Sequence, residues 1–164
     1  MLEGDNERWD ALSEALLLNA ARRDHLVRTI EPALAQRVWV VCDRFADSTL
    51  AYQGYGRGLP LPELQALHRI ALGDFAPDLT LVLDLPVEEG LRRAAGRADA
   101  ADRFERLDRA FHERLRRGFL EIAAAEPGRC AVIDAAGRIE DVNRAIVVTV
   151  AERLGVSFAY DSRQ

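Results

Sequence analysis

Between Arg8 and Gln36, in "RWDALSEALLLNAARRDHLVRTIEPALAQ", apolar positions recur with the 3.6-residue period of a helix. Trp9, Leu12, Leu16, Asn19 or Ala20, and Arg23 share one stripe, which Leu26, Ile30 and Leu34 continue, so the spacing predicts one long amphipathic helix. Pro32 has no N–H to donate and its ring crowds the carbonyl four residues back, so a kink or break is expected in the last turns. The pattern then changes. "VWVVC" (38–42), "LTLVLDL" (79–85) and "CAVIDA" (130–135) are short, nearly continuous apolar runs, the signature of strands covered on both faces. Helical stretches separate them, at about 60–73 with Pro62 near its start, then about 87–97, 102–125 and 139–154. Strands alternating with helices predict an α/β fold with a parallel sheet. There is no internal repeat and no linker, so residues 1–155 read as one domain and 156–164 as a polar tail.

Ligands of an open parallel sheet bind beyond the carboxyl ends of its strands. Asp43-Arg44, Asp84 and Asp134 all stand at such ends, and the first pair leads into "CDRFADSTLAYQGYGRG", where a buried pattern gives way to a polar one. An arginine just past a strand presents a planar fork suited to phosphate, and the neighbouring carboxylate is placed to hold Mg²⁺ or to orient that arginine. The alternative is a loop aspartate capping the next helix beside an arginine in a surface ion pair. Ser48 and Tyr52 share a helix face with Gln53 beside it. A glutamine amide both donates and accepts, as reading a nucleobase edge requires, and a tyrosine can wall off a sugar; an exposed turn with an aromatic anchor is the plainer reading. Gly54, Gly56 and Gly58 allow a turn or a close backbone approach without making a phosphate loop. Arg92, Arg93, Arg97, Arg103 and Arg106 cluster around a break at Gly96, Ala98 and Asp99, which fits either an arginine-bearing lid over phosphates or a solvated helical hairpin.

Composition narrows the classes of function. Charged residues make up 30% of the 164 residues and the net charge is −5, so a broad nucleic-acid surface is not expected. All 22 basic residues are arginine, the better bidentate clamp for phosphate. No apolar run approaches the roughly 18 residues of a membrane span and no secretory start is present, so the chain reads as cytoplasmic. Cys42 and Cys130 lie inside apolar runs without metal-ligand spacing and read as core thiols. His25, His68 and His112 have no partner in a recognisable array and receive no catalytic role.

Taken together, "VWVVCDRFADSTLAYQGYGRGL", "PDLTLVLDLPVEEGLRRA", "DRFE" and "VIDA" resemble the bacterial thymidylate kinase family, from about Asp10 to Leu154. The resemblance implies a phosphate-loop nucleoside-monophosphate-kinase fold that transfers a phosphoryl group from ATP, with Mg²⁺, to thymidine monophosphate. It implies that Arg44 holds the acceptor phosphate and Asp43 supports Mg²⁺ and the reacting groups. Arg22, Ser48 and Gln53 would face the thymine, with Tyr52 against the deoxyribose. Arg93, Arg97 and Arg103 would belong to the lid, over ATP and the transferring phosphoryl, with Asp43, Arg44, Arg97 and Arg103 as the catalytic set. Family members also tend to form homodimers through helices. The base-stacking phenylalanine of the family pattern is replaced here by Leu18.

The family begins with a strand, a Gly-x-x-x-x-Gly-Lys-Ser/Thr loop and a helix, and the chain has no such loop and no lysine. The expectation is therefore a fold lacking that first strand, loop and helix, with the acceptor site retained and little turnover by the chain as given. The strands at 38–42 and 79–85 would then either pair directly or leave a gap for another chain. Two further possibilities are a non-catalytic nucleotide- or partner-binding module and a kinase for another nucleotide.

Overall fold

The computed structural model describes residues 9–95 and 108–158. The first helix, α1 (Ala11–His25), starts where Asp10 accepts hydrogen bonds from the backbone N–H groups of Leu12 and Ser13 at 2.9 and 3.0 Å. The helical run continues through a π-turn (Leu26–Ile30) into α2 (Glu31–Ala35). The widened turn lies where the Pro32 ring would otherwise meet the Arg28 carbonyl, so the proline distorts the helix without ending it. The buried stripe keeps only part of the one that periodicity selects, namely Asn19, Leu26 and Ile30. Ala15, Asn19, Leu26 and Ile30 face inward, whereas Leu12, Leu16 and Leu34 are 44, 49 and 42% exposed. Counting apolar residues misses this, because the elements that α1 packs on accept a small residue and polar ones.

After α2 the chain turns at Arg37 and runs through Val38–Cys42 without pairing as a strand. The expected strand at 38–42 is thus corrected: Val38, Trp39 and Val41 are 53, 60 and 96% exposed, and Cys42 is exposed rather than a core thiol. An apolar run becomes a strand only when a neighbour takes its backbone groups, and β1 and β2 take each other's. Val40 alone of this run packs on the core formed by Leu26, Ile30, Phe45 and Leu72. Burying each of those four side chains stabilises the fold by roughly 1.5–3 kcal/mol.

The chain then enters α3 (Ala46–Thr49), which passes directly into a second π-turn (Leu50–Gly56), and α4 (Leu61–Leu72) follows a turn in which Gly58 takes φ 82°. The strands β1 (Thr80–Asp84) and β2 (Cys130–Asp134) pair in parallel, register Thr80 to Cys130 through Asp84 to Asp134, as the alternating pattern predicts. Between them come α5 (Val87–Ala95) and α6 (Arg109–Ala125), and α7 (Ile139–Leu154) closes the described chain with Gly155 as a left-handed cap at φ 64°. Cys130 is buried, as expected. No strand among the described residues lies on the other side of β1.

The second π-turn is pressed between α4 and α6. A Cβ on Gly54 would come within 2.5 Å of Leu61, one on Gly56 within 2.6 Å of Phe111, and one on Gly118 of α6 within 2.6 Å of the Tyr55 ring. Arg114 donates to the Gly56 carbonyl at 3.1 and 3.3 Å, and Arg57 pairs with Glu14 of α1 at 3.3 Å. Arg129 ties the segment to the sheet. It grips Asp47 with two bonds of 2.7 and 2.8 Å, donates to Thr80 Oγ1 at 2.9 Å, and pairs with Glu126. Both guanidinium and Asp47 carboxylate are largely buried.

Replacing Arg129 with Met leaves the Asp47 carboxylate buried without its partner, so Arg129→Met is expected to cost about 2–3 kcal/mol of stability. Urea unfolding measures this, and a loss below about 0.5 kcal/mol, the size usual for exposed pairs, would show that the tie is dispensable.

Candidate functional site

The candidate residues sit on three elements: α1, the continuous helical run 46–56, and the loop that feeds it. Arg44 is the hinge of that loop. Its φ of 65° puts a non-glycine residue in the left-handed region, which costs roughly 1–2 kcal/mol. Strain of this kind collects where a side chain must point in a fixed direction. The Arg44 guanidinium lies over the Tyr52 ring at 5.1 Å, and Tyr52 in turn stands edge-on to Phe111 and Phe119 at 6.2 and 6.3 Å. A cation over an aromatic face is held in place while its N–H fork remains exposed. Asp43 precedes it, also exposed, and Ser48 is half-buried one turn further on.

A second set of polar groups, with several buried atoms, lies on α1 and the same helical run. Arg22 of α1 is half-buried; its Nη2 donates to Thr49 Oγ1 at 3.1 Å and its plane lies 5.7 Å from the Phe45 ring centre. Its Nη1 is buried and has no partner. Burial pulls the Arg22 guanidinium below its usual basicity, with Cys42 and Asp47 acting the other way. Gln53, four residues after Thr49 along the same helical run, is fully buried, and both its amide oxygen and its amide nitrogen lack partners. Asn19, on the inward stripe of α1, uses Nδ2 on the Ala15 carbonyl at 2.8 Å and leaves Oδ1 unpaired. An amide buried without partners costs roughly 1–3 kcal/mol by mutational measures, so a folded protein seldom keeps several without a use for them.

Sequence reasoning placed Arg22, Arg44, Ser48, Tyr52 and Gln53 on one substrate surface, and all five lie on these packed elements. It missed Thr49, which anchors Arg22, and His68, which joins the layer from α4. His68 lies between the buried Leu64 and Leu72 on the inward stripe of α4, and its Nε2 is buried without a partner. Its pKa is pushed down to about 4, chiefly by burial and then by the Arg22 charge, with Asp47 opposing. The signal was available as a polar residue at the centre of a Leu-x-x-x-His-x-x-x-Leu stripe.

The carboxyl ends of β1 and β2 hold a second set of charges. Arg116 of α6 makes a paired contact with Asp84 at 2.7 and 2.8 Å and holds that carboxyl below the usual carboxylate range. Asp134 accepts from the Ala136 N–H at 2.9 Å. Arg93 bonds to Glu89 and to the carbonyls of Ala135 and Ala136, which places it beside the end of β2. Arg97 and Arg103 lie outside the described residues. A surface depression of about 300 Å³ runs along α6, lined by Glu113, Arg116, Arg117, Leu120, Glu121 and Ala124. One helix face lines it, and it shares no residue with the polar layer. No helix among the described residues is long and apolar enough to cross a membrane.

Known proteins resemble this chain along almost all of its length. The family model described as thymidylate kinase matches residues 1–146. A thymidylate kinase of Caulobacter vibrioides is 53% identical over 156 residues, covering 95% of this chain and 74% of that protein. One of Cereibacter sphaeroides is 54% identical over 146 residues, covering 87% of this chain and 67% of that protein. Among solved structures, the crystal structure of thymidylate kinase from Ehrlichia chaffeensis superposes with a TM-score of 0.69 at 32% identity, covering 88% of this chain and 68% of that one.

His68 stays neutral in the fold down to about pH 4, whereas in the unfolded chain it takes up a proton near its ordinary 6.5. The unfolded state therefore binds more protons between those values, and stability falls as pH drops from about 6.5 towards 4. Urea midpoints across that window should show this slope in the wild-type chain and a flatter one in His68→Asn; equal slopes would place His68 outside the buried layer.

Proposed function

Because the chain belongs to the thymidylate kinase family, we propose that its work is the transfer of a phosphoryl group from ATP to thymidine monophosphate, giving the diphosphate. The observation that carries this reading is the reach of the family match, which takes in both the loop after residue 42 and the polar layer beneath it. The geometry supports it from the acceptor side. Arg44, strained at the backbone and braced on Tyr52, offers its fork to the acceptor phosphate, where two parallel N–H bonds give strength and orientation. The exposed tip of that fork is also where negative charge builds during transfer, so one side chain serves binding and rate.

The base enters the layer below. Arg22 Nη1 supplies N–H donors for a carbonyl oxygen, and Gln53 supplies one donor and one acceptor, a set that matches the edge of thymine with its carbonyls and ring N–H. Thymine would thus satisfy the groups that the protein leaves unpaired. Tyr52, locked by Phe111 and Phe119, walls the sugar, and Ser48 lies on the same helical run. Leu18 supplies aliphatic contact where the family pattern stacks a phenylalanine.

Asp43 is the residue for Mg²⁺. Among the described residues no group of three or more His, Cys, Asp or Glu side chains could hold a metal ion. A lone exposed carboxylate fits an ion that takes one protein ligand and draws the rest from phosphates and water. When bound, Mg²⁺ neutralises charge on the phosphates. Asp43, one residue before the strained Arg44, keeps a carboxylate beside the arginine fork. Arg93, Arg97 and Arg103 are assigned to the lid over ATP. The exposed Leu12 and Leu16 of α1 offer an apolar face for a homodimer.

Calorimetric titration of the 164-residue chain separates the two halves of the acceptor. Arg44→Gln is expected to weaken thymidine monophosphate at least tenfold and leave thymidine, which has no phosphate, unchanged. Equal losses for both ligands would remove Arg44 from the phosphate site.

A further inference from the structure

The second π-turn carries Tyr52 and Gln53, and a widened turn of this kind keeps its shape when groups outside it take up its free carbonyls. The chain just beyond does part of this. The N–H groups of Arg57, Leu59 and Gly58 reach back to the carbonyls of Tyr52, Gln53 and Gly54 at 3.1, 2.9 and 2.6 Å. The carbonyl of Gly56, the last residue of the turn, is met from another helix: Arg114 of α6 donates to it from Nη2 at 3.1 Å and from Nε at 3.3 Å. Phe111, one turn earlier on α6, lies 5.9 Å from that guanidinium and 6.2 Å from the Tyr52 ring, and it leaves no room for a Cβ at Gly56. Gly118, one turn later, receives the Tyr55 ring. Phe111, Arg114 and Gly118 are spaced three and four, so one stripe of α6 cups the turn, and Arg114 supplies its charge-assisted bond.

Resting on the assignment of Gln53 to the nucleobase, we propose that Arg114 is a positioning residue for that site. By holding the Gly56 carbonyl it keeps the run in π geometry and so fixes the direction of the Gln53 amide. A π-turn closes its hydrogen bonds over five residues, against four in an α-helix. Tightening to α geometry would take up one residue and rotate Tyr52 and Gln53 off the faces they now occupy. Tyr52 stands against Phe111 and Phe119, while Gln53, next along the chain, is fully buried. A Gly56 carbonyl fastened to α6 opposes that rotation, and α6 cannot follow it, because Phe111 and Gly118 are already in close contact with the turn. Arg114 therefore acts on the base through Gln53, by deciding where a buried donor and acceptor point.

The test is calorimetric titration of the full chain with thymidine, which has no phosphate and so reports on the base end alone. Arg114→Met keeps an apolar stem but donates nothing, and it is expected to weaken thymidine about tenfold. Arg114→Lys keeps a charged donor and is expected to stay within about threefold of wild type. In a Gln53→Ala background, Arg114→Met should add no further loss, which a general loosening of the fold would not produce. The proposal is overturned if Arg114→Met leaves thymidine binding unchanged, if Arg114→Lys falls as far as Arg114→Met, or if Arg114→Met still acts when the Gln53 amide is gone. In the wild-type chain, adding thymidine should also slow the exchange of the Arg114 Nε–H with solvent, read by NMR, and unaltered exchange would overturn the proposal without recourse to any variant. If instead Gln53→Ala itself leaves thymidine binding unchanged, the assignment of Gln53 to the base fails, and the proposal fails with it.

Discussion

The grip of Arg129 on Asp47 is the interaction on which the rest of the structure depends. The helical run that carries Ser48, Thr49, Tyr52 and Gln53 is short, begins with a single turn of α-helix, and widens at once into π geometry. A segment of that kind has little stability of its own. Arg129 stands immediately before β2 and also reaches Thr80 at the start of β1, so the orientation of the run is referred to the two paired strands. Its charge satisfies Asp47 where water does not, and the same contact with Asp47 and Glu126 pushes the arginine's own pKa upward. Remove the pair and the run beneath Arg44 loses its direct tie to the paired strands.

Two design rules meet at this site and conflict. Cores are apolar and their polar groups are paired, yet Asn19, Arg22, Gln53 and His68 each keep at least one buried polar atom without a partner. The conflict is resolved if the missing partner arrives as substrate. Around the layer the packing is unusually tight: three glycines stand where even a methyl group would collide, against Leu61, Phe111 and Tyr55. Close contact there keeps the second π-turn from drifting, so the unpaired amide is presented in one orientation instead of several.

Much of this was legible in the chain. The runs at 79–85 and 130–135 became β1 and β2, and α4, α5 and α7 lie near their expected bounds, whereas the helix expected over 102–125 is observed from Arg109, where Asp108 caps it. The run at 38–42 was equally apolar and did not become a strand. Apolarity states what a segment avoids, whereas a strand requires a neighbour, and neighbours are set by residues far away in sequence. The stripe on α1 was read at Asn19 but missed Ala15, which is buried by what it meets across the interface. Arg44, Tyr52 and Gln53 stood out as candidates because their spacing is local, and Arg22 because of the family resemblance. Thr49 could not, since its contact is with Arg22, 27 residues away in the chain.

The left-handed backbone at Arg44 carries one more consequence. Glycine, or to a lesser degree asparagine, adopts that conformation with less strain, so the chain is more stable with almost any cost-free turn residue than with the arginine it has. Selection for heat resistance alone would therefore tend to erode this position, as it would Arg37, which shares the left-handed conformation. A thermostabilised descendant that had exchanged Arg44 for glycine would fold at least as well while having lost the side chain proposed to meet the phosphate.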